Sequence, residues 1–206
     1  MGNSQDYKQG SDFWFKSRCG KITASRIADV MATIKSGESA SRANYRAELV
    51  AERLTGSPAE SYSNSAMQWG TETEPLARLA YEAYTGSLVE EVGFIDHPYI
   101  DLSGASPDGL VDDGLVEIKC PNTSTHIGHL LKGEVPSKYK PQMAWQCCCT
   151  GRNWCDFVSF DPRMPERHQL LVVRYIPEDS YLIELEQAVR KFSDEVNEVI
   201  KQLELR

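Results

Sequence analysis

Between residues 102 and 121 apolar and polar positions alternate with the two-residue period of a strand, interrupted by short polar turns. The pattern predicts strands at about Leu88–Ile95, Leu102–Leu110 and Leu115–Cys120. Two further runs rich in β-branched and aromatic residues, Trp154–Phe160 and Leu170–Ile176, read the same way. Elsewhere the spacing is helical. Trp14 to Met31 reads as mostly helix, with Thr23 or Ser25 as candidate caps, and Ser41–Leu54 carries Ala43, Ala47, Val50 and Leu54 on one face. After Thr55-Gly56-Ser57-Pro58 a polar loop is expected to run to Gly70. A helix from Glu72 to Tyr84 would then bury Leu76, Leu79, Ala80 and Ala83 and close at Gly86.

Helical pieces follow at Thr125–Leu131 and Lys138–Thr150, with Pro141 acceptable only in a first turn. A final amphipathic helix starts at Glu178, its face formed by Ala188, Phe192, Val196, Val199 and Leu203. The order predicts an α/β (α+β) fold: a central mixed sheet flanked by helices. No repeat or long linker divides the 206 residues, so one domain spanning 1–206 is expected, its first ten residues a flexible lead.

Composition narrows the class. No run of about 18 apolar residues suggests a membrane span, and the polar start lacks the apolar core of a signal peptide, so a cytoplasmic location is expected. Six cysteines in such a chain read as reduced, buried thiols rather than disulfides. The net charge of −8 argues against nucleic acid as a partner until its distribution is considered. Residues 61–160 carry six Lys/Arg against thirteen Asp/Glu, whereas residues 1–60 carry nine against seven. The acidic excess therefore falls where bound cations would offset it.

The chemistry centres on Ser106-Pro107-Asp108-Gly109-Leu110, a turn at Asp112-Asp113-Gly114, and Leu115-Val116-Glu117-Ile118-Lys119-Cys120-Pro121. A hairpin there would set Asp108 beside Glu117, and strand alternation points Glu117 and Lys119 the same way. Two carboxylates, with the Ile118 carbonyl between the polar side chains, form an oxygen set suited to Mg²⁺ or Mn²⁺. Lys119 could orient or help deprotonate an attacking water. Such a group meets the needs of phosphodiester hydrolysis: a positioned water and cations to stabilise developing charge. The bland reading is a surface hairpin with an incidental Glu–Lys pair. The four histidines lack metal-ligand spacing and read as non-catalytic, with His126 and His129 the one pair worth following. Lys132, Lys138 and Lys140 make a small basic patch fit for a DNA backbone.

Pro107-Asp108 followed by Glu117-Ile118-Lys119 resembles the PD-(D/E)XK nuclease superfamily. The longer matches resemble the lambda-type phage exonucleases of the YqaJ-like viral recombinase family: Tyr139 with Gln142, Asp161-Pro162-Arg163-Met164, Trp14 with Arg18, Ile22-Thr23-Ala24-Ser25, and Trp69-Gly70 with Glu74. The likeness covers about residues 13–200. It implies a restriction-endonuclease-like core with Asp108, Glu117 and Lys119 as the catalytic trio. Glu74, with Glu72 as rival, matches a further active-site carboxylate, and Gln142 a glutamine on the helix that follows the core strand. Arg18 and Ser25 match positions that hold the 5′-phosphate of a DNA end, and Ser106, next to Asp108, is expected to contact phosphate as well. Met67 matches a strand-separating wedge. Lys35 matches a strand-guiding basic residue, where Lys replaces Arg. The resemblance further implies a Mg²⁺-dependent 5′-to-3′ exonuclease on duplex DNA, a homotrimeric ring and a phage single-strand annealing partner. Alternatives are a Cas4-type nuclease with an iron–sulfur cluster, a site-specific endonuclease, and a non-catalytic DNA-end-binding module.

Overall fold

A computed structural model describes residues 8–58 and 65–205. Helix α1 (Asp12–Arg18) is capped by Ser11, whose side chain accepts a hydrogen bond from the Trp14 amide. The helix does not continue to Met31 as its spacing suggests. Gly20 turns the chain at φ 70°, and the Ile22 amide donates to Leu102 O, drawing Ile22–Thr23 into a sheet as β1. A 3-10 turn (Ala24–Arg26) and a single turn of helix α2 (Ile27–Val30) complete the segment. Thr23 precedes that turn without a side-chain capping bond. Long-range pairing has overridden a local helical period here.

Helix α3 (Ala40–Thr55) ends at Gly56 in the left-handed conformation. Helix α4 spans Ser65–Thr85, so the loop expected to reach Gly70 is shorter than the sequence suggests. Its buried side also differs from expectation: Thr73, Ala77 and Tyr81 face inward, while Leu76 and Leu79 are 53% and 62% exposed and Ala83 is exposed. Inward positions are four residues apart, and tight approach of the helix to the sheet selects a small Ala77 over a leucine.

Strands β2 (Ile95–Asp96), β3 (Ser103–Ala105) and β1 make a small sheet of order β1-β3-β2. The stretch expected as a strand at 88–95 is joined to the main sheet mainly by one bridge, Glu90 with Leu110. The run expected at 102–110 breaks at Ser106–Asp108, and the chain passes there from the small sheet to the main one as β4 (Gly109–Val111).

The main sheet has the order β4-β5-β6-β7, with β5 (Gly114–Lys119), β6 (Cys155–Phe160) and β7 (Leu170–Tyr175). Strands β5 and β6 run parallel and the outer pairs antiparallel, which makes the sheet mixed. A parallel pair needs a crossover, supplied by α5 (Thr123–Lys132) and α6 (Lys140–Thr150), with Pro141 in the first turn of α6. Helix α7 (Asp179–Glu204) packs Leu185, Val189, Phe192 and Val196 against Tyr45, Leu49 and Trp145. Leu203, expected on that face, is 45% exposed near the helix end.

Both faces of β5 are covered. Val116, Ile118 and Cys120 join Ala77 and Tyr81 of α4, while Leu115 joins Met143 and Cys147 of α6. The cysteines are all free, and the four buried ones are divided among three apolar clusters, Cys149 in one, Cys120 in a second, Cys147 and Cys155 in a third, whereas Cys19 and Cys148, also expected to be buried, are only partly so. Burial raises the Cys120 and Cys147 thiols to about 12. Four thiols do not converge for an iron–sulfur cluster. Gln9, within the expected flexible lead, donates to Val92 O and to Pro107 O, the latter at 2.8 Å. No helix among the described residues is long and apolar enough to cross a membrane.

Candidate active site

The hairpin forms as expected, its turn narrowed to Asp112-Asp113 because Gly114 already pairs in β5. Val111 pairs with Gly114 and Gly109 with Val116, and Asp112 adopts φ 47° between the strands. Gly109 is required by packing, because a Cβ there would lie 2.1 Å from Val89 Cγ1. One step beyond the Gly109–Val116 pair, Asp108 faces the Glu117–Ile118 peptide. Asp108 Oδ2 accepts the Ile118 amide at 2.6 Å, which fixes the carboxylate at the end of the hairpin.

Glu117 is fully buried, yet both of its carboxylate oxygens accept hydrogen bonds. Lys119 Nζ and Gln142 Nε2 donate to Oε1, the latter at 2.5 Å, and Gln146 Nε2 donates to Oε2 at 2.6 Å. Gln142 and Gln146 lie one turn apart on α6, so both amides reach the same carboxylate. Gln146 is the residue that sequence reading missed. Its only signal was the four-residue step from Gln142 on a helix expected to pack over β5.

Charges in the cluster act on one another. Burial, then the charges of Glu117 and Glu74, push the Asp108 carboxyl well above the usual range. Burial also raises Glu74, partly offset by Arg78, which binds it at 2.9 Å. Lys119 feels burial in the opposite sense, but Glu117 and Asp108 outweigh it and raise the ammonium pKa. The rival Glu72 is exposed and bonded to Gln68, so Glu74 is the α4 carboxylate that senses this cluster.

A second group lies next to the first. Trp14 Nε1 donates to Ser106 Oγ at 2.9 Å, and the Arg18 guanidinium lies 3.9 Å over the Trp14 ring. Trp14 thus ties Arg18 to Ser106, two residues from Asp108. Arg18 is half-buried, and burial lowers its pKa, with Tyr45 and the Glu52 carboxylate acting in the opposite sense. Ser25 is exposed, with Thr23 Oγ1 3.4 Å from its hydroxyl. Because Thr23 pairs with Gly104 in parallel β1 and β3, Ser25 and Ser106 each follow that pair by two residues. Lys35 is exposed in the loop between α2 and α3, and no interaction among the described residues links it to the carboxylates. Met67 falls within α4, but its side chain lies outside the described residues.

The other motifs have structural partners. Asp161 is fully buried and accepts from Thr123 and from the Arg163 backbone and guanidinium, and Arg163 stacks 4.4 Å over Trp69. His126 and His129 share Ser159 at 2.8 and 2.9 Å, beside the Lys119 position in the sheet. His126 Nε2 must donate to His168 O, so Ser159 donates to His126 Nδ1 and accepts from His129. Lys132 and Lys138 are exposed and Lys140 half-buried at the mouth between α5 and α6.

The YqaJ-like viral recombinase domain matches residues 13–153 of this chain. The chain belongs to the YqaJ-like viral recombinase family. It is 49% identical to the alkaline exonuclease LHK-Exo of Laribacter hongkongensis, with a TM-score of 0.87 over 94% of this chain and 96% of that one. LHK-Exo in complex with dAMP gives 50% identity and a TM-score of 0.88 over the same shares. A phage-related exonuclease of Haemophilus somnus 129PT shares the fold at 16% identity and a TM-score of 0.69, over 89% of this chain and 96% of that one. No curated protein matches.

Within this family the site reads as that of a nuclease. Among the described residues no three His, Cys, Asp or Glu side chains form a ready-made metal cage. The donor set nevertheless fits a hard cation. Asp108 and Glu117 offer oxygens, and the mutual repulsion of Asp108, Glu117 and Glu74 is what added positive charge would relieve. Magnesium in particular is usually held by one or two carboxylates and otherwise by water and phosphate oxygens.

Proposed function

We propose that this chain is a Mg²⁺-dependent 5′-to-3′ exonuclease that degrades one strand of linear duplex DNA to mononucleotides and leaves a 3′ overhang for recombination by strand annealing. The observation that carries the proposal is the juxtaposition of the Asp108–Glu117–Lys119 cluster with the Arg18 cation, joined through Trp14 and Ser106. A carboxylate-rich centre that needs a cation stands beside a guanidinium that needs an anion. A terminal phosphate on Arg18, Ser25 and Ser106 would present the first phosphodiester to Asp108 and Glu117.

Asp108, Glu117 and the Ile118 carbonyl would hold Mg²⁺, with Mn²⁺ as substitute. When bound, the ion would lower the pKa of water and stabilise charge on the phosphoryl oxygens. Glu74 and Lys119 orient water and manage its proton, and Gln142 holds Glu117. Lys132, Lys138 and Lys140 carry backbone phosphates. Met67 and Lys35 remain candidates for parting and guiding the strands. The relative solved with dAMP supports a deoxymononucleotide product. A homotrimer, an annealing partner and action in the bacterial cytoplasm from phage or prophage complete the reading, with the chain acting as one nuclease domain. The exposed Leu76 and Leu79 of α4 offer apolar surface for self-association.

The test uses linear duplex labelled at the 5′ or 3′ end, with closed circular DNA as control, in Mg²⁺ or EDTA. Early release of the 5′ label as mononucleotide from linear DNA alone, abolished by EDTA, is expected. Cutting of the closed circle would favour an endonuclease.

A further inference from the structure

Resting on the metal-dependent reading above, we infer that Gln146 is a positioning residue: it orients Glu117 for cation binding. Glu117 is a fully buried carboxylate whose Oε1 already takes Lys119 and Gln142, whereas Oε2 has Gln146 as its one donor among the described residues. A carboxylate offers about four lone-pair positions. Three donors therefore leave one open direction, and it lies on Oε2. The two oxygens turn together, so Gln146 fixes the Oε2 end of a group whose Oε1 end Lys119 and Gln142 hold.

Gln146 is itself held in one orientation. It is fully buried on α6, and its Oε1 accepts from Cys155 Sγ at 3.7 Å, which turns Nε2 toward Glu117. Reversing the amide would place its oxygen against the carboxylate and its N–H₂ against the thiol, so the two neighbours select one flip. The arrangement is a relay of fixed groups from β6 through α6 to β5. It differs from Gln142, which is half-buried and shares Oε1 with Lys119. Losing Gln142 leaves Oε1 its ammonium. Losing Gln146 leaves Oε2 with no donor among the described residues.

Groups that orient a metal-binding carboxylate typically contribute about 10- to 100-fold in affinity. Mn²⁺ titration of the full chain, read by electron paramagnetic resonance without DNA, measures this directly. Gln146→Met keeps the volume and removes the donor; Gln146→Asn, whose amide is too short to reach, serves if the first variant does not fold. Either is expected to weaken Mn²⁺ binding at least about 10-fold, with wild-type circular dichroism. In a Glu117→Gln background the same change should have no further effect. Unchanged Mn²⁺ affinity in the Gln146 variant would overturn the inference alone, as would an equal loss in both backgrounds. Absence of Mn²⁺ binding by the wild-type chain would overturn it together with the metal-dependent reading.

Discussion

At the scale of single residues, the site is built on contacts whose removal has distinct signatures. Gly109 has no room for a methyl group, with Val89 Cγ1 at 2.1 Å and Val116 Cγ1 at 3.3 Å from a built Cβ. Gly109→Ala is expected to cost about 1–3 kcal/mol through forced repacking and to displace Asp108, seen as a lower melting temperature together with lost activity. Arg18→Ala should raise KM for 5′-phosphorylated ends roughly 10- to 100-fold, the equivalent of one or two charge-assisted hydrogen bonds, while leaving 5′-hydroxyl ends unaffected. Equal effects on both ends would remove Arg18 from phosphate binding. Asp161 is a separate case. Burial opposes its charge, but the bonds from Arg163 and Thr123 win and hold its carboxyl at about 2, below its ordinary 3.8. A depressed folded value means that its stabilisation is complete above the unfolded pKa and lost as pH falls toward the folded one. Thermal melts should therefore show wild type losing an advantage over Asp161→Asn between about pH 4 and 2. A constant difference across that window would contradict the assignment.

At the scale of elements, the hairpin was legible because alternation, turn chemistry and paired carboxylates agree over residues 106–121. Asp108, Glu117 and Lys119 meet there through β4 and β5 as the pattern requires. The first thirty residues were less legible. A helical spacing in isolation gives no sign that Ile22 will pair with β3, and that pairing is what sets Ser25 and Ser106 at one sheet end. Helix α4 misled in another way. Leu76 and Leu79 have helical spacing and high hydropathy, but the face that meets the sheet is Thr73, Ala77 and Tyr81, whose hydroxyl reaches the buried Asp156 at 2.8 Å. Burial here follows fit rather than hydropathy. Tyr81→Phe should cost about 1 kcal/mol by loss of that bond, measurable by urea unfolding, whereas Leu79→Ser should leave monomer stability nearly unchanged.

At the scale of the whole molecule, two ideas of charge must be reconciled: a chain of net charge −8 and the polyanionic substrate proposed for it. The fold resolves this by grouping. Acidic side chains concentrate where cations would neutralise them, and the Arg18 cation lies alongside, tied to Ser106 through Trp14. Exposed Lys132 and Lys138 lie in the connection between α5 and α6, and Lys138 shares the Tyr139 ring with Lys119 of the cluster. Binding and cleavage should therefore separate, since they use different charges. The most direct test of the account pairs two readings on one variant, Lys119→Ala with Mg²⁺ present: affinity for a 5′-phosphorylated duplex end and the rate of mononucleotide release. Near wild-type affinity with release slowed at least about 100- to 1000-fold is the predicted result. Release at the wild-type rate would contradict the placement of the cutting centre at Asp108, Glu117 and Lys119.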